Sequence, residues 1–436
     1  MAQKYSDRPY LGATMTRSIS PFLPTIAALA LVLTLPANAL CQTDCDGYRY
    51  RYTGAFDSFD VDYDLPYGEN INSMLLSEEL VADVYTPSEQ SDELRPLVLM
   101  AHGGFFLGGS NDGLDVVSLC EDLARMGYVT ASFSYRLGID NLFDFQTSFV
   151  EAVWRGVHDS RAAVRYFRKS VEMGNPYHID PERIYLGGVS AGGFIAMHHA
   201  YVDEDSEIPT YIDESEPGLG GGLEGLSGNE GYSSDIDGVF NIAGALQTAD
   251  FLLLGDNEPL VSIHGTADET VPYAEGEIVF TGIPIIDVDG SSIVHAMADS
   301  VGVDNCLIPV EGAGHVPHIF DESYYDLTLS TVAGKLGEWA CEGYVPVCGG
   351  YDYTAETSVS EASATLPLLF PNPASAQGRV FASFDARSEW TLVNAIGAVV
   401  ERGVAQAGDQ VVWSGLSPGW YALRSAAGSQ ALVVQP

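Results

Sequence analysis

A chain of 436 residues is longer than one ordinary domain. Its 46% hydrophobic content, with 46 Gly and 22 Pro, fits a globular chain with a large core and excludes a disordered or collagen-like one. Sixty acidic residues against 19 basic ones give a net charge of −41, which repels phosphate backbones and anionic lipid surfaces, so nucleic-acid binding is excluded. Lys4, Lys169 and Lys335 are the only lysines. An acidic surface so poor in lysine fits an extracellular protein bathed in high salt, where screening removes self-repulsion.

Residues 1–39 read as a secretory signal. Ile26–Leu35 is one apolar run, Arg17 precedes it and Ala37-Asn38-Ala39 follows, so cleavage is expected near Ala39. Met15 would serve as an alternative start. The run is short for a membrane-spanning helix, and no later stretch predicts one. Leu40 before Cys41 is not the small residue that a lipidation site needs. Cys41, Cys45, Cys120, Cys306, Cys341 and Cys348 are all expected to be oxidised in an exported chain, in pairings the sequence leaves open. No spacing suits a zinc site or a calcium loop, so neither metal nor cofactor is expected.

From Tyr48 to Cys348, apolar strand-like runs alternate with amphipathic helical stretches. Pro96–Ala101, Tyr128–Ser134, Arg183–Gly187, Val239–Ala243 and Leu260–His264 predict buried strands. Leu114–Met126, Phe149–Val171, Gly193–Tyr201 and Ser291–Val301 have helical periodicity. This alternation predicts an α/β fold, a mostly parallel sheet with helices on both faces, over residues 40–348. The Gly-rich segment Gly218–Gly231 is expected to be a loop near a site, and His198-His199 are expected to be packing residues. Residues 349–366 read as a linker, and residues 367–436 as a small all-β module with no helix.

Four places carry chemistry. Gly188-Val189-Ser190-Ala191-Gly192 fits G-x-S-x-G between a strand and a helix, a sharp turn that exposes the serine hydroxyl at the sheet's carboxyl edge. His102-Gly103-Gly104-Phe105-Phe106 follows a strand and resembles the HGGG-type turn of lipases and esterases. Backbone N–H groups of Gly104, Phe105 and Ala191 are its expected oxyanion donors, while His102 is expected to orient the loop. His264-Gly265-Thr266-Ala267-Asp268 ends a strand with an acid able to orient a histidine; Asp256 and Glu269 compete with Asp268. Gly312-Ala313-Gly314-His315 follows the strand CLIPV, its small residues leaving room for an imidazole, with His318 as the competitor. The order Ser190, Asp268, His315 is the chain order of α/β-hydrolase triads.

With these motifs, Tyr48–Cys348 resembles the α/β-hydrolase superfamily, close to its bacterial carboxylesterase and feruloyl-esterase-like branch. Asp159-Ser160-Arg161-Ala162-Ala163-Val164-Arg165-Tyr166, Ile179-Asp180-Pro181-Glu182-Arg183-Ile184 and the stretch HGTADETVPY extend the match. Phe105 departs from it, standing where many relatives have a third glycine, and an insertion around Phe280–Gly290 lengthens the interval from Asp268 to His315. The last seventy residues resemble a type IX secretion sorting domain, on Leu369-Phe370-Pro371-Asn372-Pro373-Ala374, Leu392-Val393-Asn394-Ala395-Ile396-Gly397 and Leu416-Ser417-Pro418-Gly419-Trp420-Tyr421. They lack the usual terminal basic residue. That resemblance implies the secretion machinery as a partner, and release or attachment at the cell surface.

The expectation is a secreted serine carboxylic-ester hydrolase, with Ser190 as nucleophile, His315 as base and Asp268 as its orienting acid. Its substrate would be a small-molecule or polymer-linked ester. Two other readings share the scaffold: a serine peptidase of the prolyl-oligopeptidase type, and a non-catalytic surface-displayed binding protein.

Overall fold

A computed structural model describes residues 45–435, apart from residues 355–367 and stretches of one to four residues elsewhere. The expected signal (1–39), Cys41, Asp256 and most of the expected linker lie outside the described residues. Eight strands form the central sheet: β1 (Phe59–Ile71), β2 (Ser77–Pro87), β3 (Arg95–Ala101), β4 (Val129–Phe133), β5 (Ile179–Val189), β6 (Gly238–Ile242), β8 (Leu260–Gly265) and β11 (Asn305–Val310). Their spatial order is β1-β2-β4-β3-β5-β6-β8-β11. β2 pairs antiparallel with both β1 and β4, and every later pairing is parallel. This is the α/β-hydrolase arrangement.

Strand β3 shows why the sheet is covered twice. All seven of its residues are buried, and side chains alternate between faces. Leu97, Leu99 and Ala101 enter a core shared with helices α2 (Phe145–Glu172) and α3 (Ala191–Tyr201). Val98 and Met100 enter another, shared with α1 (Leu114–Met126) and α5 (Glu322–Ala340). Each large aliphatic chain buried this way contributes about 1.5–3 kcal/mol, so a polar residue in place of Leu97, Val98, Leu99 or Met100 would be costly. Helix α1 buries Val116, Leu119, Cys120, Leu123 and Ala124, the spacing of one helical face, and stops at Gly127 in the left-handed region (φ 113°). Helix α3 is buried on every side, which explains why its sequence carries no polar stripe.

The insertion around Phe280–Gly290 forms a hairpin of β9 (Glu275–Phe280) and β10 (Ile283–Gly290), which pairs with the two-residue strand β7 (Ala245–Leu246). Helix α4 (Ser291–Val301) follows it directly. Residues 368–435 hold β12 (Leu368–Phe370), β13 (Ala374–Ser375), β14 (Arg379–Ser383), β15 (Ser388–Asn394), β16 (Val399–Ala405), β17 (Gln410–Ser414), β18 (Gly419–Ser425) and β19 (Gly428–Gln435). They make two sheets, β12-β14-β17 and β13-β19-β18-β15-β16, around a core of Trp390, Trp413, Leu392, Leu423 and Leu432.

Three expectations need correction. The loop around Gly218–Gly231 docks on α2, and none of its residues lines the cleft at Ser190. Arg136 and Asp159 form a fully buried ion pair at 2.8 Å. The Arg136 guanidinium also donates to the carbonyls of Ile71 and Gly218, and Ser227 donates to Asp159 at 2.6 Å. Arg161 and Arg165 reach the Glu224 carboxylate, and Arg165 also the Gly228 carbonyl. Buried guanidiniums need acceptors, and this loop supplies them from its backbone.

The cysteines are not uniformly oxidised. Cys45 pairs with Cys341 and Cys306 with Cys348, but Cys120 is a free thiol buried on α1, where it packs as a small apolar residue. Finally, the hydrolase body runs past Cys348. Tyr351 donates to the Arg51 carbonyl, Tyr353 donates to Asp326, and Tyr353 is buried, so the first residues of the expected linker pack as core.

Candidate active site

The serine stands at a strained turn. Ser190 has φ 55° and ψ −113°, between the end of β5 and the first residue of α3, and its N–H is held by the Ile242 carbonyl at 2.8 Å. Both motif glycines are sterically required. A Cβ on Gly188 would sit 2.3 Å from Gly192 backbone atoms, and one on Gly192 would sit 2.0 Å from the Ala101 carbonyl oxygen. The elbow can therefore press against β3 only with glycine there.

Three side chains from separate loops meet at this turn. His315 Nε2 lies 2.8 Å from Ser190 Oγ, and His315 Nδ1 lies 2.6 Å from Asp268 Oδ2. Ser190 is contributed by the β5–α3 turn, Asp268 by the turn after β8, and His315 by the loop after β11. Asp268 is fully buried at its side chain, while His315 is 19% exposed and so open to the cleft. Burial pushes the Asp268 carboxyl up, but hydrogen bonds from His264 and His315 and the Val271 N–H outweigh it and hold the group well below the usual carboxylate range. Its Oδ1 accepts the N–H groups of Thr270 and Val271 at 2.8 and 2.9 Å.

The competitors do not reach this chain of contacts. His318 is buried with neither ring nitrogen hydrogen-bonded to a side chain at the site, and burial lowers its pKa to about 4. No hydrogen bond or ion pair joins Glu269 to His315, whose Nδ1 is taken by Asp268.

His264 is a contributor that sequence reasoning passed over. Its Nε2 lies 3.3 Å from Asp268 Oδ2 and 3.1 Å from the Val271 carbonyl, while Nδ1 meets Ser291 Oγ at 2.8 Å. It ties the Asp268 loop to the start of α4. The signal was its place at the strand's last turn, four residues before the acid. The small residue that makes room for His315 is also elsewhere than expected. A Cβ on Gly314 would meet nothing within 4 Å, whereas one on Gly265 would lie 2.3 Å from the Gly314 carbonyl oxygen.

The loop after β3 supplies the opposite wall. Gly104 (φ 121°), Phe105 (φ 58°) and Phe106 (φ 58°) follow one another in the left-handed region. Phe105 thus adopts the backbone conformation a third glycine would favour, which resolves its departure from the usual motif at a cost in strain. His102 is buried, stacks on Tyr135 at 4.3 Å between ring centroids, and donates from Nδ1 to the Gly103 carbonyl. Burial lowers its pKa, so a neutral ring braces the loop. Gly104 and Phe105 line the cleft with Ser190, and Ala191 opens α3, where N–H groups lack intrahelical partners.

The cleft has a volume of about 240 Å³. Phe105, Val189, Val316 and Ile319 make it largely apolar, with Ser190, His315, Thr270 and Asp115 as its polar groups. Among the described residues no group of three His, Cys, Asp or Glu side chains is arranged to hold a metal ion. His198 and His199 are buried and engaged inside the protein, with Phe194 and Gln247 and with Ser160 and Ser234 respectively.

Residues 82–221 match the BD-FAE family. Over 123 residues, 28% of the chain, it is 32% identical to the non-reducing polyketide synthase pkbA of Emericella nidulans. The chain spans 5% of the length of that curated relative. Among solved structures it is similar to Thermogutta terrifontis esterase 2 phosphorylated by paraoxon, with 20% identity, 64% of this chain and 93% of that one covered, and a TM-score of 0.45. It is also similar to a truncated carbohydrate esterase from gut microbiota, with 19% identity, 66% and 98% covered, and a TM-score of 0.46. The strand order, the elbow and the three-loop site make this chain an α/β-hydrolase by fold, and the stretch carrying the elbow is similar to the BD-FAE family.

Proposed function

We propose that this protein is a serine carboxylic-ester hydrolase working through an acyl-enzyme. The observation that carries the reading is the continuous hydrogen-bonded run from Asp268 through His315 to Ser190. Ser190 Oγ attacks the ester carbonyl as His315 Nε2 takes its proton; the imidazolium then gives that proton to the departing alcohol. Water, deprotonated by the same nitrogen, attacks the acyl-enzyme, releases the acid and regenerates the serine. Asp268, ionised and buried, fixes the tautomer in which Nδ1 carries the proton and stabilises the imidazolium. The N–H groups of Gly104, Phe105 and Ala191 hold the tetrahedral oxyanion, each donor contributing about 3–4 kcal/mol in comparable sites. The largely apolar cleft favours an acyl ester over a polar peptide. Residues 1–39 direct export, and residues 367–436 act as a type IX sorting domain that leaves the protein secreted or attached to the cell surface.

The test is hydrolysis of p-nitrophenyl esters of two to twelve carbons, by the unmodified chain and by Ser190→Ala, at low and multimolar salt. Turnover that the substitution abolishes is expected. A folded protein inert on every ester and at every salt concentration would overturn the reading.

A further inference from the structure

The oxyanion loop is strained, and something must hold it. Three consecutive residues, Gly104, Phe105 and Phe106, have positive φ, and two of them carry a Cβ that this conformation crowds. Such a loop persists only when its surroundings fix it. Several contacts do so from within or behind: the Gly104 carbonyl accepts from Leu107 and Gly108, the Phe106 carbonyl accepts from Gly138, and His102 braces Gly103. One contact comes from the cleft side and involves a charge. The Gly103 N–H donates to Asp115 Oδ2 at 2.6 Å, from the first turn of α1. Asp115 is also a lining residue of the cleft.

This contact has two chemical consequences. Gly103 N–H is committed to Asp115, so it is not an oxyanion donor, which leaves the next two amides to that task. The carboxylate also stands close to the reaction. A point at the Cβ position of Gly103 lies 3.1 Å from Asp115 Oδ2 and 3.4 Å from Ser190 Cβ, so those two atoms are at most 6.5 Å apart, the sum of the two. Among the described residues no lysine or arginine lines the cleft to offset it.

We propose that Asp115 is a positioning residue that fixes the oxyanion loop through Gly103, and that its charge makes the cleft select neutral over anionic acyl groups. The proposal rests on the ester-hydrolase reading. Losing the acceptor frees a strained loop, and a displacement of about 1 Å in a catalytic donor lowers rate by about 100-fold. Losing the charge alone removes repulsion felt by a substrate carboxylate, worth about tenfold at such a distance in a partly solvated cleft.

The experiment compares p-nitrophenyl acetate with mono-p-nitrophenyl succinate, for the unmodified chain, Asp115→Ala and Asp115→Asn, with thermal unfolding measured alongside. Asp115→Ala is expected to lower kcat on the acetate about 100-fold with KM within about threefold. Asp115→Asn keeps an acceptor and is expected to recover most of that kcat. It should also raise kcat/KM for the succinate relative to the acetate about tenfold, a gain that shrinks in multimolar salt. Wild-type kcat in Asp115→Ala, or an unchanged succinate-to-acetate ratio in a folded Asp115→Asn, would overturn the proposal and leave the hydrolase reading standing. No turnover of either ester by the unmodified chain would overturn both.

Discussion

Gly192→Ala adds one methyl group two residues after the serine. Its Cβ would lie 2.0 Å from the Ala101 oxygen, 2.5 Å from the Ala101 carbon and 2.8 Å from the His102 oxygen. These are backbone atoms at the end of β3, where the strand pairs with both β4 and β5, so none can turn aside as a flexible side chain could. Restoring an ordinary contact of about 3.4 Å at the Ala101 oxygen requires the elbow and β3 to separate by about 1.4 Å. Overpacking of a tight site costs about 1–3 kcal/mol, and the backbone nature of this clash places the substitution at the upper end. The same separation moves the Ala191 N–H away from the Gly104 and Phe105 amides, so kcat should fall by about 100-fold or more. Gly314→Ala is the internal control: it lies beside His315, yet its Cβ would meet nothing within 4 Å. Measured together, Gly192→Ala should lose melting temperature and turnover while Gly314→Ala keeps both. A Gly192→Ala protein with native melting temperature and native kcat would refute the steric account of the elbow.

Two other predictions follow from buried charge. Glu258 is pushed up to about 8, first by burial and then by Asp203, so the folded protein holds a proton there that the unfolded chain releases near pH 4.5. Folding therefore takes up a proton between those values, and stability should fall as pH rises from about 4.5 to 8. Glu258→Gln should flatten that slope in chemical denaturation, and an unchanged slope would discard the assignment. Asp268 runs the other way. Its depressed folded value means its stabilisation is present above the unfolded value of about 3.9 and lost as pH falls through the folded one. Asp268→Asn should lower kcat by about 10⁴-fold through the wrong imidazole tautomer, while removing part of the acid sensitivity of stability. Pre-steady-state acylation and acid unfolding measure the two effects separately.

The local signals and the long-range ones separate cleanly along this chain. The helices 114–126 and 291–301 end where their periodicity and their glycines end, because one buried face and a left-handed stop are encoded within a dozen residues. The inner strands were legible for the same reason, since burial on both sides leaves no polar alternation. Strand β1 carried no such mark. Its run FDVDYDLPYGENI is exposed or part-exposed except at Tyr67, contains Pro66 and Gly68, and pairs with two register shifts, so only the neighbouring strand defines it as sheet. Helix α5 was equally silent, its Thr, Ser and Gly content giving weak helical preference that packing against the sheet overrides.

At the site, Ser190 could be read from five residues because the elbow's constraint is local: two glycines either side of a strained serine. Asp268 and His315 could be named as candidates, but their meeting is a matter of three loops brought to the carboxyl edges of β5, β8 and β11. What the tertiary structure alone decided were the contacts between distant segments. They are His264 steadying Asp268 and reaching Ser291, Asp115 holding Gly103, and Gly265 rather than Gly314 yielding space to the histidine loop. The Gly-rich loop shows the same division. Its composition announced irregular backbone, but its destination was set by three buried arginines needing carbonyl and carboxylate acceptors, a demand written elsewhere in the chain. Sequence determines what each segment can do alone; which groups satisfy one another once water is excluded is decided only when the segments pack.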